Sequence, residues 1–247
     1  MSGLRKIKFN IDLLDKNQKE TRKRVLEISF KRNLSHLGSC LSCIDLIDAI
    51  YQIKKPEDKF ILSNGHAGIA WYVILEKNKL IGKDDIYKLN VHPDRNPKLH
   101  IPVSTGSLGQ GLPIALGMAL ANKGEHVYCI ISDGECAEGS IWETLRIAAD
   151  KKIRNLKIVV NANSWGAYDP IDLYYLKKRF KGFGYAVVDV NGHEMKKVIK
   201  ITKNKFPSPT IIFAKTSVEQ FSFLKGQDAH YYTMTEEDYL AATKLLL

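Results

Sequence analysis

Cysteine is scarce in this sequence, with four residues in 247. Cys40 and Cys43 form one C-x-x-C pair, but no second pair completes a zinc site. The surrounding S-C-L-S-C-I-D-L-I-D-A-I-Y reads as the start of an amphipathic helix, so both thiols are expected as small buried groups. Cys129 falls in a strand pattern and is expected in the core. Long apolar runs are missing as well. No stretch reaches the roughly 18 consecutive apolar residues that mark a membrane span. Arg5, Lys6, Lys8 and Asp12 interrupt the N-terminus where a signal peptide would carry its apolar region. The expectation is a cytoplasmic protein that makes no use of a membrane.

Negative charge is also in deficit. Lys and Arg number 37 against 27 Asp and Glu, giving a net charge of +10 and a pI near 9.3. The basic residues are scattered in small groups such as Lys54-Lys55, Lys151-Lys152 and Lys177-Lys178-Arg179. They lack the interleaved aromatics of RNA-binding sheets, so a nucleic-acid partner is not expected. A solvated basic surface that steers anionic substrates or an acidic partner fits better.

What is present is an α/β pattern. With 45% hydrophobic residues, the chain can fill one sizeable domain over 1–247, preceded by a weakly patterned arm at 1–15. Basic amphipathic periodicity from Asn17 to Asn33 predicts a helix, and a second is expected from about Ser42 to Ile53. Between them His36 sits in a Gly/Ser-rich turn. Short strands are expected at Lys59–Ser63, Val127–Ser132, Leu156–Asn161, Gly184–Val190 and Thr210–Lys215. Helices are expected between these strands, and a last one from Glu236 to Leu247.

The unit from Ile131 to Trp165 organises the rest. It reads strand, loop, helix, strand, loop, which makes a parallel βαβ. Asp133 follows its first strand and Asn163 its second, so both lie where open α/β sheets bind ligands. A carboxylate and an amide oxygen converging there suit a hard cation such as Mg²⁺, which takes its remaining ligands from water and a diphosphate. Gly106, Gly109 and Gly111 open an apolar helix of small residues. Their spacing is not that of a dinucleotide fingerprint, and no lysine follows to make a P-loop.

These motifs resemble the transketolase family. D-G-E-C-A-E-G closed by N-A-N-S-W is similar to its thiamine diphosphate motif, with Ser132 in place of the first Gly and Asn161 in place of an acidic residue. S-N-G-H-A, H-P-D, V-S-T-G-S-L-G-Q-G and N-G-H-E match further family segments, in family order and over nearly the whole chain. S-H-L-G resembles its S-G-H-P-G turn, with Leu34 and Leu37 replacing Gly and Pro.

The resemblance implies a three-layer parallel-sheet thiamine diphosphate-binding fold with helices on both faces. It implies thiamine diphosphate and Mg as cofactors. Asp133, Asn163 and the main chain of Trp165 would hold the metal. His66, Gly106, Ser107, Leu108, Gly134, Glu138, Asn163 and His193 would contact the cofactor, and Glu138 would also reach across a subunit interface. His36 and His92 are the expected catalytic histidines. His100 and His230 receive no role. The family's pyrimidine-binding and C-terminal domains have no counterpart here. The resemblance therefore implies the N-terminal subunit of a split transketolase, acting on sugar phosphates with a separate C-terminal subunit in an α2β2 assembly. A chain resembling deoxyxylulose-phosphate synthase, or a non-catalytic cofactor-binding subunit, is the alternative.

Overall fold

Runs of β-branched and aromatic residues form five strands in the computed structural model, which describes residues 7–247. They are β1 (Lys59–Leu62), β2 (Val127–Ser132), β3 (Leu156–Ala162), β4 (Ala186–Asn191) and β5 (Thr210–Lys215). All pair in parallel, in the order β1-β2-β3-β5-β4. Parallel strands with both faces covered read as continuous apolar runs, as β2 does here with all of its residues buried.

Side-chain alternation along β2 divides the core in two. Tyr128 and Ile130 pack with α1 (Lys16–Lys31), α2 (Leu37–Tyr51), α3 (Gly68–Lys77), α7 (Met195–Lys203) and α8 (Glu236–Leu245). Val127, Cys129 and Ile131 pack with α4 (Gly111–Ala121), α5 (Gly139–Asp150) and α6 (Leu173–Gly182). Helices thus cover both faces, and the three-layer α/β architecture expected from sequence is the one found.

Helix α2 is buried from Leu37 to Ile50 and is apolar almost all round, as an interior helix must be. Burying Leu41, Ile44, Leu46 and Ile47 contributes about 1.5–3 kcal/mol each. The sequence pattern places the start of this helix at about Ser42, five residues late. The stretch expected as a Gly/Ser turn is helical because Gly38 packs directly on Ala229, whose Cβ lies 2.7 Å from where a side chain would begin. The turn shrinks to His36 alone, left-handed at φ 64°.

The two acids of α2 are partnered. Asp48 accepts from Lys77 Nζ at 2.6 Å. Asp45 is bound by Arg22 and His193. Of the expected arm, residues 1–6 lie outside the described residues. Beyond them Phe9 sets its edge on the His193 ring at 5.0 Å, with the Arg22 guanidinium over its face. Asp15 then starts α1 through a capping box with Gln18. All four cysteines are free and buried. Among the described residues, no helix is long and apolar enough to cross a membrane.

Candidate cofactor site

The carboxyl ends of β1, β2 and β3 gather the functional side chains, each placed by a turn rather than by a helix or strand. His66 lies in a 3-10 turn, Gly65–Ala67, directly after β1. His36 precedes α2, and His92 lies in the long loop before α4. A second 3-10 turn, Gly226–His230, brings in His230. The His36 ring is 5.4 Å from His66 and 6.0 Å from His92, and the His66 ring is 6.2 Å from His230.

These four histidines line one cavity of about 180 Å³ together with Gly106, Leu108, Gly134, Trp165 and Tyr231. Tyr231 Oη and Gln227 Nε2 both donate to the Ala167 carbonyl, which pins the His230 loop against the loop after β3. Gly106 has φ +137°, and a Cβ there would meet the His92 ring at 2.7 Å. Only glycine lets the backbone pass at that place.

The cavity disfavours positive charge. Burial lowers the His36 pKa to about 4, and the His92 and His230 rings add to the effect. Burial lowers His66 to about 3, again assisted by its histidine neighbours. His230 is lowered too, by burial, against a backbone hydrogen bond with Gln227. A neutral imidazole keeps one donor and one acceptor nitrogen, the pair needed to orient a hydroxyl. Among the described residues, the buried Nδ1 of His36 has no hydrogen-bond partner.

Beside the histidines, Asp133 is 1% exposed. Its carboxylate accepts from the N–H of Ser164 at 2.6 Å and of Gly134 at 3.1 Å. Burial pushes its pKa up to about 7, against those backbone donors, and among the described residues it forms no ion pair. A buried carboxylate lacking a counter-charge suits a cation. Asn163 Oδ1 accepts from the Trp165 N–H at 2.9 Å. The Trp165 carbonyl comes within 3.4 Å of the open side of Gly134. All three are hard oxygen donors, the type Mg²⁺ prefers.

Both departures from the family motif are accommodated. Ser132 Oγ accepts from the Glu135 N–H at 3.0 Å and so braces the turn. Asn161 points away from the site, donating to Ser42 Oγ and accepting from Thr216 Oγ1.

Sequence reasoning also missed Glu135, which is fully buried. Its Oε1 accepts from Ser63 Oγ at 2.6 Å and from the Gly109 N–H at 2.7 Å, tying β1 to the glycine-rich turn. Its identity within D-G-E-C was visible, but its inward direction was not. His230, given no role from sequence, reaches the cavity through the 3-10 turn Gly226–His230, whose position the sequence does not reveal. Ser107 and Glu138 are exposed and do not line the cavity.

His193 does not enter the cavity. Its Nδ1 lies 2.8 Å from Asp45 Oδ2, and its Nε2 accepts from the Ser217 N–H at 3.0 Å. Strand β4 is the edge of the sheet, separated from β2 by β5 and β3, so its end points elsewhere. His100 lines a separate groove with Tyr51 and Lys54. Among the described residues, no three His, Cys, Asp or Glu side chains are grouped to share a metal ion, so the four histidines do not make a zinc-type centre.

A family model described as "Transketolase, thiamine diphosphate binding domain" matches residues 22–246. An apulose-4-phosphate transketolase subunit of Phocaeicola vulgatus is 30% identical, over 96% of this chain and 94% of its own length. The 6-deoxy-6-sulfo-D-fructose transketolase subunit SqwG of Clostridium sp. strain MSTE9 is 32% identical, over 90% and 91%. Human transketolase is 32% identical over 73% of this chain but 33% of its own length. The crystal structure of Campylobacter jejuni transketolase superposes with a TM-score of 0.76 at 24% identity, covering 97% of this chain and 43% of that one. The chain thus spans nearly all of the subunit-type relatives and less than half of the other two. It belongs to the transketolase family, as a thiamine diphosphate-binding domain, and the family's chemistry is ketol transfer.

Proposed function

We propose that the chain is the diphosphate- and metal-holding subunit of a two-chain transketolase, completed by a separate subunit with the pyrimidine-binding and C-terminal domains. The observation that carries this reading is the convergence of His36, His66, His92 and His230 on one cavity, next to the buried, uncompensated carboxylate of Asp133. Exposure of Ser107 and Glu138 supports completion by a second chain. An α2β2 assembly follows from sites shared between chains. Four free, buried cysteines favour a reducing, cytoplasmic setting.

Asp133, Asn163 and the Trp165 carbonyl would hold Mg²⁺. His66, Gly106, Ser107, Leu108, Gly134 and Glu138 would hold thiamine diphosphate. When bound, thiamine diphosphate supplies the carbon nucleophile that accepts a two-carbon ketol unit from a ketose phosphate and passes it to an aldose phosphate. The protein's part is orientation and proton handling. His36 and His92 line the cavity that would take the sugar hydroxyls, and burial keeps His36 neutral, so that its imidazole orients a hydroxyl rather than presenting a charge. Leu108 and Trp165 exclude water. His193 braces β4 against α2 and is not part of this set.

The test is a ketol-transfer assay with the chain alone and with the second subunit. Turnover only with both, and its loss in His36→Gln and His92→Gln, supports the reading. Pyruvate-dependent release of carbon dioxide would favour the synthase alternative, and absence of any turnover the non-catalytic one.

A further inference from the structure

The opposite end of the sheet carries a second concavity. It encloses about 450 Å³ beneath the amino ends of β2 and β3, within the roughly 300–1,000 Å³ range of small-molecule sites. Lys123, Lys151, Lys152, Arg154, Lys157 and Lys205 converge on it, and no carboxylate lines it. These residues come from three separate connections and from the start of β3, so in the sequence they stand only as scattered basic groups. Among the described residues, none of the six forms an ion pair. The nearby acids are engaged elsewhere: Glu125 with Lys59, and Asp150 with Arg146.

The walls are fixed. Asn155 Nδ2 donates to the carbonyls of Ala119, Asn122 and Glu125, at 2.9, 2.9 and 3.0 Å. Lys152 is held left-handed at φ 53° within the segment that forms this wall. Phe206 and Ile153 add a partly buried apolar surface. Lys157 is the deepest cation, and its pKa is lowered by burial and by the neighbouring charge of Lys205. Like charges gathered in a recess repel one another and are relieved by an anion.

We propose that this groove binds a small anion carrying two or more phosphates, with the phosphates on the lysines and any attached ring against Phe206. A nucleic acid is the weaker fit, because the cations surround one recess rather than forming a stripe along the surface.

The experiment is isothermal titration of inorganic triphosphate, and separately of a nucleoside triphosphate, into the full chain in magnesium-free buffer. Lys157→Gln/Lys205→Gln and Arg154→Gln should each weaken binding, the double variant by about tenfold or more. Raising salt should weaken it further. Asp133→Ala should leave it unchanged, which separates this groove from the cofactor site. Tighter binding of the nucleoside triphosphate would assign the ring to Phe206, and equal binding would assign the phosphates alone; both support the site. Equal losses in Lys178→Gln/Lys181→Gln, outside the groove, would reduce the effect to general charge attraction and overturn the proposal. Tighter binding of an RNA oligonucleotide than of triphosphate would overturn it too.

Discussion

The backbone N–H of His36 donates to the backbone carbonyl of His230 at 2.8 Å. One histidine stands before the first buried helix and the other near the C-terminus, so this bond closes the cavity by joining the two ends of the chain. It also holds His36 in the left-handed region, where a non-glycine residue costs about 1 kcal/mol.

His36→Gly should therefore separate stability from function. The backbone bond survives and the strain is relieved, so unfolding free energy should stay within about 1 kcal/mol of wild type. Ketol transfer with the second subunit should fall by about a hundredfold or more. Denaturant unfolding and turnover on the same preparation check both. Full activity would remove His36 from the mechanism.

Acid should destabilise the chain through the cavity histidines. His36 and His66 have pKa values near 4 and 3 in the fold, against 6.5 for a free imidazole. The unfolded chain therefore binds more protons below pH 6.5. Stability falls as pH drops from about 6.5 toward 4, and it is unaffected by these groups above that window. Unfolding measured between pH 7.5 and 4.5 should show a shallower slope in His66→Gln than in wild type. Equal slopes would contradict the burial of these rings.

Asp45 anchors a buried ion cluster. Against the cost of burial, Arg22 and His193 hold its carboxyl below the usual range. Asp45→Ala leaves the Arg22 guanidinium buried and unpaired, so it should cost about 3–5 kcal/mol in urea unfolding. His193→Gln should likewise lower stability while changing thiamine diphosphate affinity little. A large affinity loss without a stability loss would return His193 to the diphosphate.

Two glycines should respond in opposite ways to alanine. Gly106→Ala meets the His92 ring at a left-handed position and should destabilise by about 1–3 kcal/mol while weakening cofactor binding. Gly117 lies in α4 with nothing within 4 Å of an added Cβ, so Gly117→Ala should raise the stability of the isolated chain by about 0.5–1 kcal/mol. Thermal unfolding of both variants checks this.

Much of the site was legible because its elements are local. Asp133, Gly134 and Asn163 follow buried strands, and apolar runs ending in polar groups mark strand ends without knowledge of the tertiary fold. His36, His66 and His92 sit in short motifs whose turns bring them together. His193 was not legible, because where a strand end points depends on strand order. Nothing in the spacing of N-G-H-E says that β4 is at the sheet edge. His230 depends on a contact between the two ends of the chain, and the helical start of α2 depends on Gly38 meeting Ala229. The basic groove is non-local for the same reason.

The most direct test is isothermal titration of thiamine diphosphate with Mg²⁺ into the chain, alone and with its second subunit, for wild type and Asp133→Ala. The account predicts metal-dependent binding that tightens when the second subunit is added and is lost in Asp133→Ala. Binding that is absent in both conditions, or is indifferent to Asp133, would contradict it.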